Sequence, residues 1–507
     1  MHAIFDQGPF APCPSPFNLS AHVLAHAPRL ADKIALAVVS PSGADRWSYA
    51  NLQAAVLGTA TGLAQAGFQP GDVLLMRLGN TVDFPIAYLG AIAAGMVPVP
   101  SSQQLTAPEV AAMLAGLQPA GILHDPAVPC ADPAGAKLVD LAALQAMRAL
   151  PPAPYHMGAP DRLAYIVYTS GTSGRPRAVM HAHRAIWARQ MMHKGWYDIS
   201  EDDRLMHAGA FNWTFTLGTG LLDPWSVGAT ALIPAQGVPP EALPLLLKRH
   251  DATIFAAAPG VYRKVLGAGH PLPLPRLRHG LAAGEKLPET TRAAWQAATG
   301  TAVYEAYGMS EISTFISANP QAPARAAMLG QPQPGRRVAI VDASGTPVPL
   351  GTPGTIAVSR RDPGLMLGYR GAQAETEQRL VGEWFLTGDQ GHMDEDGQIA
   401  YHGRDDDMMN AGGYRVSPIE VEAALLQFPG LREAAVTDIE IKPDVRVIAA
   451  FYLADHPLDP AALQAHCETL LARYKQPRIF THLQALPRNP NGKLSRQSLR
   501  KEYRPNQ

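Results

Sequence analysis

The chain is short of cysteine, of net charge and of long apolar runs, and each shortage closes off a class of function. Among 507 residues only Cys13, Cys130 and Cys467 occur, far apart and odd in number. No disulfide framework and no zinc-ligand spacing follow, so a reducing cytoplasm is the expected compartment. The formal net charge is -1 at pH 7, which leaves no electrostatic footprint for nucleic acid or an anionic membrane surface. No stretch approaches the ~18 uninterrupted apolar residues of a membrane span. The opening "MHAIFDQGPFAPCPSPF" has no basic segment followed by an apolar run, so it does not read as a signal peptide. What is present is a hydrophobic content of 47%, enough to build folded cores. A chain of this length exceeds one core, and two or more domains are expected.

Strand-like and helix-like segments alternate over the first two thirds. "GDVLLMRLG" (71–79), "VPVPSS" and "AGILHD" read as strands, and "FPIAYLGAIAAG" (84–95) and "PEVAAMLAGLQ" (108–118) as helices. The alternation returns in "PPEALPLLLKRHDATIFAAAP" and "LPETTRAAWQAATGTAVYEAYG". It implies βαβ units and a parallel α/β sheet, whose ligands sit at the carboxyl ends of strands. From about residue 335 to 403, "RRVAIVD", "GTIAVSR" and "GQIAYHG" are short strands between Gly and Pro, and Asp396-Gly397 reads as a hairpin turn. This is a β-rich subdomain of an N-terminal domain spanning 1–403. The acidic, Gly-containing "GRDDDMMNAGG" (403–413) marks a boundary. After it, Ser417 as N-cap, Pro418 in the first turn and Glu420 closing a capping box predict a helix. Strands "EAAVTDI" and "VRVIAAFYLA" follow, then a helix capped by Asp459 with Pro460 at its first position. Residues 404–507 therefore read as a small α+β domain.

The densest signal is "YTSGTSGRPRAVMHAH" (168–183), which follows the strand "LAYIVY" and precedes the helix-like "HAHRAIWARQMMH". Such a loop can aim backbone N–H groups and hydroxyls at an anion, with Arg175 and Arg177 adding charge suited to phosphate. A plain flexible loop is the alternative. It is not a Walker A loop, because no Gly-Lys-Ser/Thr follows. Ser310 is not in a nucleophile elbow, because Ile312 stands where the second Gly belongs. "HAH" (181–183) and "MMH" (191–193) have no third ligand at useful spacing and are not read as a metal site.

"YTSGTSGRPRAV" resembles the phosphate loop of the adenylate-forming superfamily, which includes acyl- and aryl-CoA ligases, adenylation domains and firefly luciferase. "YEAYGMSE" (304–311), "WFLTGDQGHMDEDGQIAYHGRDDD" (384–407), "GGYRVSPIEVE" (412–422) and "PRNPNGKLSRQSLR" (487–500) resemble its other motifs in the same order. The resemblance runs from "WSYANL" (47–52) to Arg500. Departures are Arg177 where Lys is usual, Ala178 for Gly, Ser310 for Thr, and Asn410 where Lys is frequent.

The resemblance implies a role for each matching residue. Thr169, Ser170, Gly171, Thr172, Ser173, Gly174 and Arg177 hold the ATP phosphates. Tyr307 packs on adenine, with Gly284, Glu285, Gly308 and Ser310 also at the nucleotide. Glu311 positions Mg²⁺, a hard cation preferring oxygen ligands. Asp389 grips the ribose hydroxyls, and Arg404 contacts the nucleotide. Asp406 is the hinge about which the small domain turns, and Gly412 and Gly413 line the tunnel for CoA. Lys493 stabilises the charge that develops as a carboxylate joins the α-phosphate. The implied reaction is adenylation of a carboxylic acid by MgATP, then attack by a thiol with release of AMP.

Asn212, Trp213 and Phe215, with Ala258, Ala283, Gly284 and Met309, are the expected walls of the acid pocket. An aromatic wall with one Asn suits an aryl, cyclic or short-to-medium-chain acid, and "EISTFISANP" (311–320) resembles benzoate-CoA ligases more than long-chain acyl ligases. No acidic residue near 210–215 is available for an amino-acid ammonium. Three other readings stay open: loading of a carrier protein instead of CoA, a nucleotide-binding homologue without catalysis, and oxygenation after adenylation as in luciferase. An oligomer is compatible with all of them.

Overall fold

A computed structural model of the chain describes residues 1–169, 177–267, 271–404, 407–411, 414–442, 445–471, 473–488 and 492–503. Ser170, Gly171, Thr172, Ser173, Gly174, Asp406, Gly412 and Gly413 lie outside the described residues. The chain divides into two compact units. The larger comprises Phe5–Arg337 and Val358–Phe385, the smaller Met1–Ile4, Val338–Ala357 and Leu386–Gln507.

The larger unit is α/β. Parallel strands run in the order Val303–Met309, His279–Ala283, Ile254–Ala257, Arg204–Ala208, Thr230–Pro234 and Ile34–Ser40. Gly43–Ser48 extends this sheet antiparallel on one side, and Ser313–Ser317 with Met328–Pro332 on the other. A second sheet is wholly parallel, in the order Val97–Pro100, Val73–Arg77, Gly121–His124 and Lys137–Asp140. Its strand Val73–Arg77 is buried at every position, as a parallel strand covered on both faces should be. The helix Asp83–Ala93 is likewise buried throughout, which its all-round apolar sequence requires. Both α/β expectations hold.

One local reading is corrected. The helix-like run 181–193 starts later than expected, because His181 and Ala182 end the strand Arg177–Ala182, antiparallel to Leu163–Thr169 on one side and to Gly368–Tyr369 on the other. Helical geometry begins only with Arg184–Ala188 and Gln190–Met192, then widens into a π-helical turn, His193–Tyr197. Pairing with the flanking strands takes up the backbone of the strand, and at 181–182 it prevails over the local helical pattern. The loop therefore links two antiparallel strands, and no helix N-terminus follows it directly.

In the smaller unit, residues 389–393 pair antiparallel with Ile399–Arg404. The turn between them forms at Asp396-Gly397 as expected, with Gly397 at φ 76°. Leu431–Lys442 and Val445–Ala454 form an antiparallel pair, and Ile479–His482 joins parallel. Ile448, Ala450 and Tyr452 pack beneath helices Pro418–Leu425 and Pro460–Leu470, while Ala449 and Phe451 pack beneath Arg496–Glu502. A strand covered on both faces explains the unbroken apolar run "VIAAFYLA". Asp459 caps its helix as expected, accepting from the Ala461 N–H. Ser417 also caps, accepting from the Glu420 N–H. Glu420 does not return the bond; its carboxylate is taken by Lys475 at 2.5 Å, so the anticipated capping box is half made. Among the described residues no helix is long and apolar enough to cross a membrane.

Candidate active site

In the larger unit the site is built around the end of strand Val303–Met309 and the turn that follows it. The register shifts between Tyr307 and Gly308. A side chain at Gly308 would lie 2.2 Å from the Ser313 carbonyl oxygen, so only glycine lets the returning chain close this tightly. Tyr307 is half-buried, with its ring edge-on to Phe315 at 5.3 Å. Glu311 is buried, and the Tyr369 hydroxyl donates to its Oε1 at 2.6 Å. Burial and the adjacent Glu311 carboxylate both push the Tyr369 pKa upward, so the hydroxyl stays a donor and Glu311 an acceptor. Sequence reasoning passed over Tyr369; its position after "LMLG" carries no local sign of a partner 58 residues away.

Glu311 fits a magnesium ion in chemical type. It is a hard oxygen donor, and no group of three His, Cys, Asp or Glu that could hold a metal occurs among the described residues. Magnesium commonly binds with one or two carboxylates plus substrate phosphates and water, rather than in an all-protein cage. When bound, such an ion neutralises phosphate charge.

Arg177 is half-buried and forms an ion pair with Glu375. Ser310 turns its carbonyl to His181, whose Nε2–H donates at 2.7 Å. Glu285 is half-buried beside Gly284.

The expected acid-pocket residues divide into two sets. Trp213, Phe215, Ala283 and Gly284 come together. Gly284 has φ +96°, and a side chain there would meet Cζ2 of Trp213 at 2.7 Å. Trp213 stands edge-on to Phe215 at 5.4 Å, and Phe215 and Ala283 share a core cluster with Trp196 and Ala306. Asn212, Ala258 and Met309 are half-buried and, among the described residues, stand outside that cluster. His207, absent from the sequence reading, stands edge-on to Phe215 at 4.5 Å. It is fully buried, neither ring nitrogen has a partner, and burial pushes its pKa down to about 3. It is a neutral ring at the back of the aromatic wall.

In the smaller unit Asp389 and Arg404 face each other across the antiparallel pair. Asp389 is buried, and its N–H donates to the Thr387 hydroxyl at 3.1 Å. Lys493 is exposed beside Gly492, in a loop closed by bridging of Arg488 with Leu494. Arg488 holds that loop through the Gly492 carbonyl at 2.8 Å and Glu433 at 2.6 Å.

The comparisons with known proteins bear on the whole chain. The family described as AMP-binding enzyme matches residues 24–370, and the AMP-binding enzyme C-terminal domain matches 420–493. The 3-hydroxybenzoate–CoA ligase of Aromatoleum sp. (strain CIB) is 30% identical, over 93% of this chain and 95% of that one. The benzoate–CoA ligase of Thauera aromatica is 32% identical, over 86% of each. The crystal structure of ATP-bound MatB from Rhodopseudomonas palustris superposes with a TM-score of 0.89 at 26% identity, covering 96% of this chain and 99% of that one. With both family domains matched in order over most of its length, the chain belongs to the AMP-binding enzyme family and is an AMP-forming acid–thiol ligase working through an acyl-adenylate.

Proposed function

We propose that the chain activates a compact aryl or cyclic carboxylic acid and transfers it to CoA. The carrying observation is the wall of Trp213, Phe215 and Ala283 packed on Gly284. An edge-on pair of aromatic rings offers a flat apolar wall that suits an aryl ring. Relatives that act on 3-hydroxybenzoate and benzoate support the same acid class.

In the first half-reaction a carboxylate oxygen attacks the α-phosphorus of ATP, and the bond to pyrophosphate breaks. In the second, the CoA thiolate attacks the acyl carbonyl carbon and AMP leaves. We assign the phosphates to Thr169, the loop 170–174 and Arg177, and the adenine to Tyr307 with Gly284, Glu285, Gly308 and Ser310. Glu311 takes Mg²⁺, Asp389 and Arg404 take the ribose side, and Lys493 meets the charge developing at the α-phosphate. Asp406 serves as hinge between 1–403 and 404–507, and Gly412 and Gly413 admit the pantetheine arm of CoA.

The test is pyrophosphate release across a panel of acids, with and without CoA, for wild type and Lys493→Ala. Aryl-acid-dependent release with an acyl-CoA product, reduced about 10²–10³-fold in the variant, is the expected result. Release with no CoA product would transfer the reading to a carrier-protein acceptor.

A further inference from the structure

The turn that bears Glu311 and the carboxylate of Glu311 are held by different groups. The turn closes on itself through the Ile312 N–H and the Met309 carbonyl at 3.2 Å. His181 donates through Nε2 to the Ser310 carbonyl at 2.7 Å, and the Met366 N–H donates to the Glu311 carbonyl at 2.8 Å. Arg189 donates to the Ser313 hydroxyl at the far end of the turn. None of these bonds reaches the Glu311 side chain. Among the described residues its carboxylate has one hydrogen-bond partner, the Tyr369 hydroxyl, which donates to Oε1 at 2.6 Å.

Tyr369 is itself fixed in place. Its ring is buried, and its strand Gly368–Tyr369 lies against Arg177–Ala182, the strand that leaves the loop assigned to the ATP phosphates. The Leu367 N–H donates to the Met180 carbonyl at 2.8 Å and the Arg370 N–H to the Ala178 carbonyl at 2.9 Å. The Tyr369 N–H turns the other way and donates to the Thr376 hydroxyl at 3.0 Å. Gly368 permits that approach: it sits at φ +138°, and a side chain there would meet Cγ2 of Thr376 at 3.2 Å. Thr376 belongs to helix Gln373–Gln378, which also carries Glu375, the ion-pair partner of Arg177. Residues 366–376 thus form a strap. One end is tied to the strand beginning at Arg177, and the tyrosine reaches across to Glu311.

A glutamate carboxylate left to itself samples several rotamers, and magnesium demands near-ideal octahedral geometry. A hydrogen bond to one carboxylate oxygen removes that freedom. A neutral phenol does so without cancelling the carboxylate charge, as an ammonium or guanidinium would. We propose that Tyr369 is a positioning residue for metal–nucleotide binding: its hydroxyl holds Oε1 of Glu311 in one orientation and leaves the second oxygen for the cation. The inference rests on the reading of Glu311 as the magnesium carboxylate. Because the turn is held by other bonds, loss of the Tyr369 hydroxyl frees the carboxylate and leaves the main chain in place. A hydroxyl that only satisfied a buried carboxylate would affect stability and not the contribution of the metal.

The experiment is calorimetric binding of the non-hydrolysable analogue α,β-methylene-ATP to the full chain, once with saturating Mg²⁺ and once with EDTA. Wild type is compared with Tyr369→Phe, which removes the hydroxyl and keeps the ring, with Tyr369→Met as a second apolar replacement, and with Glu311→Gln. Unfolding midpoints verify that the variants fold. Tyr369→Phe should weaken binding of the magnesium complex about tenfold or more and leave metal-free binding within about twofold of wild type. The Mg²⁺ concentration that half-saturates pyrophosphate release should rise in parallel, with the KM for the acid unchanged. Unchanged affinity for the magnesium complex in both Tyr369 variants, alongside a loss in Glu311→Gln, would overturn this inference and leave Glu311 as the metal carboxylate. Equal losses with and without Mg²⁺ would reduce Tyr369 to a structural role and overturn it as well. Unchanged affinity in Glu311→Gln would overturn both readings.

Discussion

Each unit buries an arginine against a carboxylate, and the two pairs are used differently. In the smaller unit Arg496 donates to both oxygens of Glu422, at 2.6 and 2.8 Å, and to the Val436 carbonyl at 3.1 Å. It pins helix Arg496–Glu502 to a strand and to helix Pro418–Leu425, in a core packed on both sides. In the larger unit Arg189 is paired with Asp223 as completely, but one face of the guanidinium borders a cavity and passes a hydrogen bond to Ser313. A buried ion pair is therefore not itself a sign of a site. The difference lies in the neighbours: Arg496 has a second carboxylate, Asp407 at 3.5 Å, to complete its pairing, whereas Arg189 borders a small cavity lined by Tyr88, Tyr165 and His181.

The two units should separate first in acid. His181, His183 and His207 all lie in the larger unit, and burial pushes their pKa values down to about 4, 3 and 3. Each stays neutral in the fold while the unfolded chain takes up a proton near pH 6.5, so their contribution is complete above about pH 6.5 and is lost as pH falls toward 4. Glu305 and Glu422, whose carboxyls burial pushes up, titrate with the opposite sign, one in each unit. The larger unit should lose several kcal/mol across this window, at about 1.4 kcal/mol per pKa unit. All seven tryptophans belong to it, so the pH dependence of urea unfolding by tryptophan emission is the measurement. A flat profile from pH 7 to about pH 4.5 would contradict the histidine account.

The second contrast breaks the pairs themselves. Asp223→Ala leaves a buried guanidinium, 9% exposed, uncompensated and should cost the larger unit about 3–5 kcal/mol. Glu422→Ala should cost the smaller unit no more than the lower end of that range, because both partners there are 13% exposed. The first variant should lower the tryptophan-detected midpoint; the second should appear in far-ultraviolet circular dichroism and leave the tryptophan midpoint in place. The smallest effect is a control. Asp140 and Asp459 are exposed N-caps, one in each unit, accepting from Ala143 N–H at 2.8 Å and Ala461 N–H at 3.0 Å. Replacing either with Ala should cost about 1 kcal/mol, and thermal unfolding should show no difference between units.

Motif order and hydrophobic period along the chain sufficed for the α/β class, the strands around 71–124 and 254–309, the C-terminal α+β elements and the Asp459 cap, because each depends on residues within a few positions of one another. They also named Glu311, Asp389 and Lys493 from the order of short segments. The exceptions share a cause. His181 and Ala182 joined a strand instead of the helix because partners on both sides pair with that strand, and Glu420 left its capping box for Lys475, 55 residues on. Tyr369 reaches Glu311 across 58 residues, and Arg189 reaches Asp223 across 34. Propensity and periodicity are local, so they reveal which segments fold and which motifs occur. Which side chains satisfy one another, and which are left facing a cavity, depends on contacts between distant segments, and those exist only once the chain has packed.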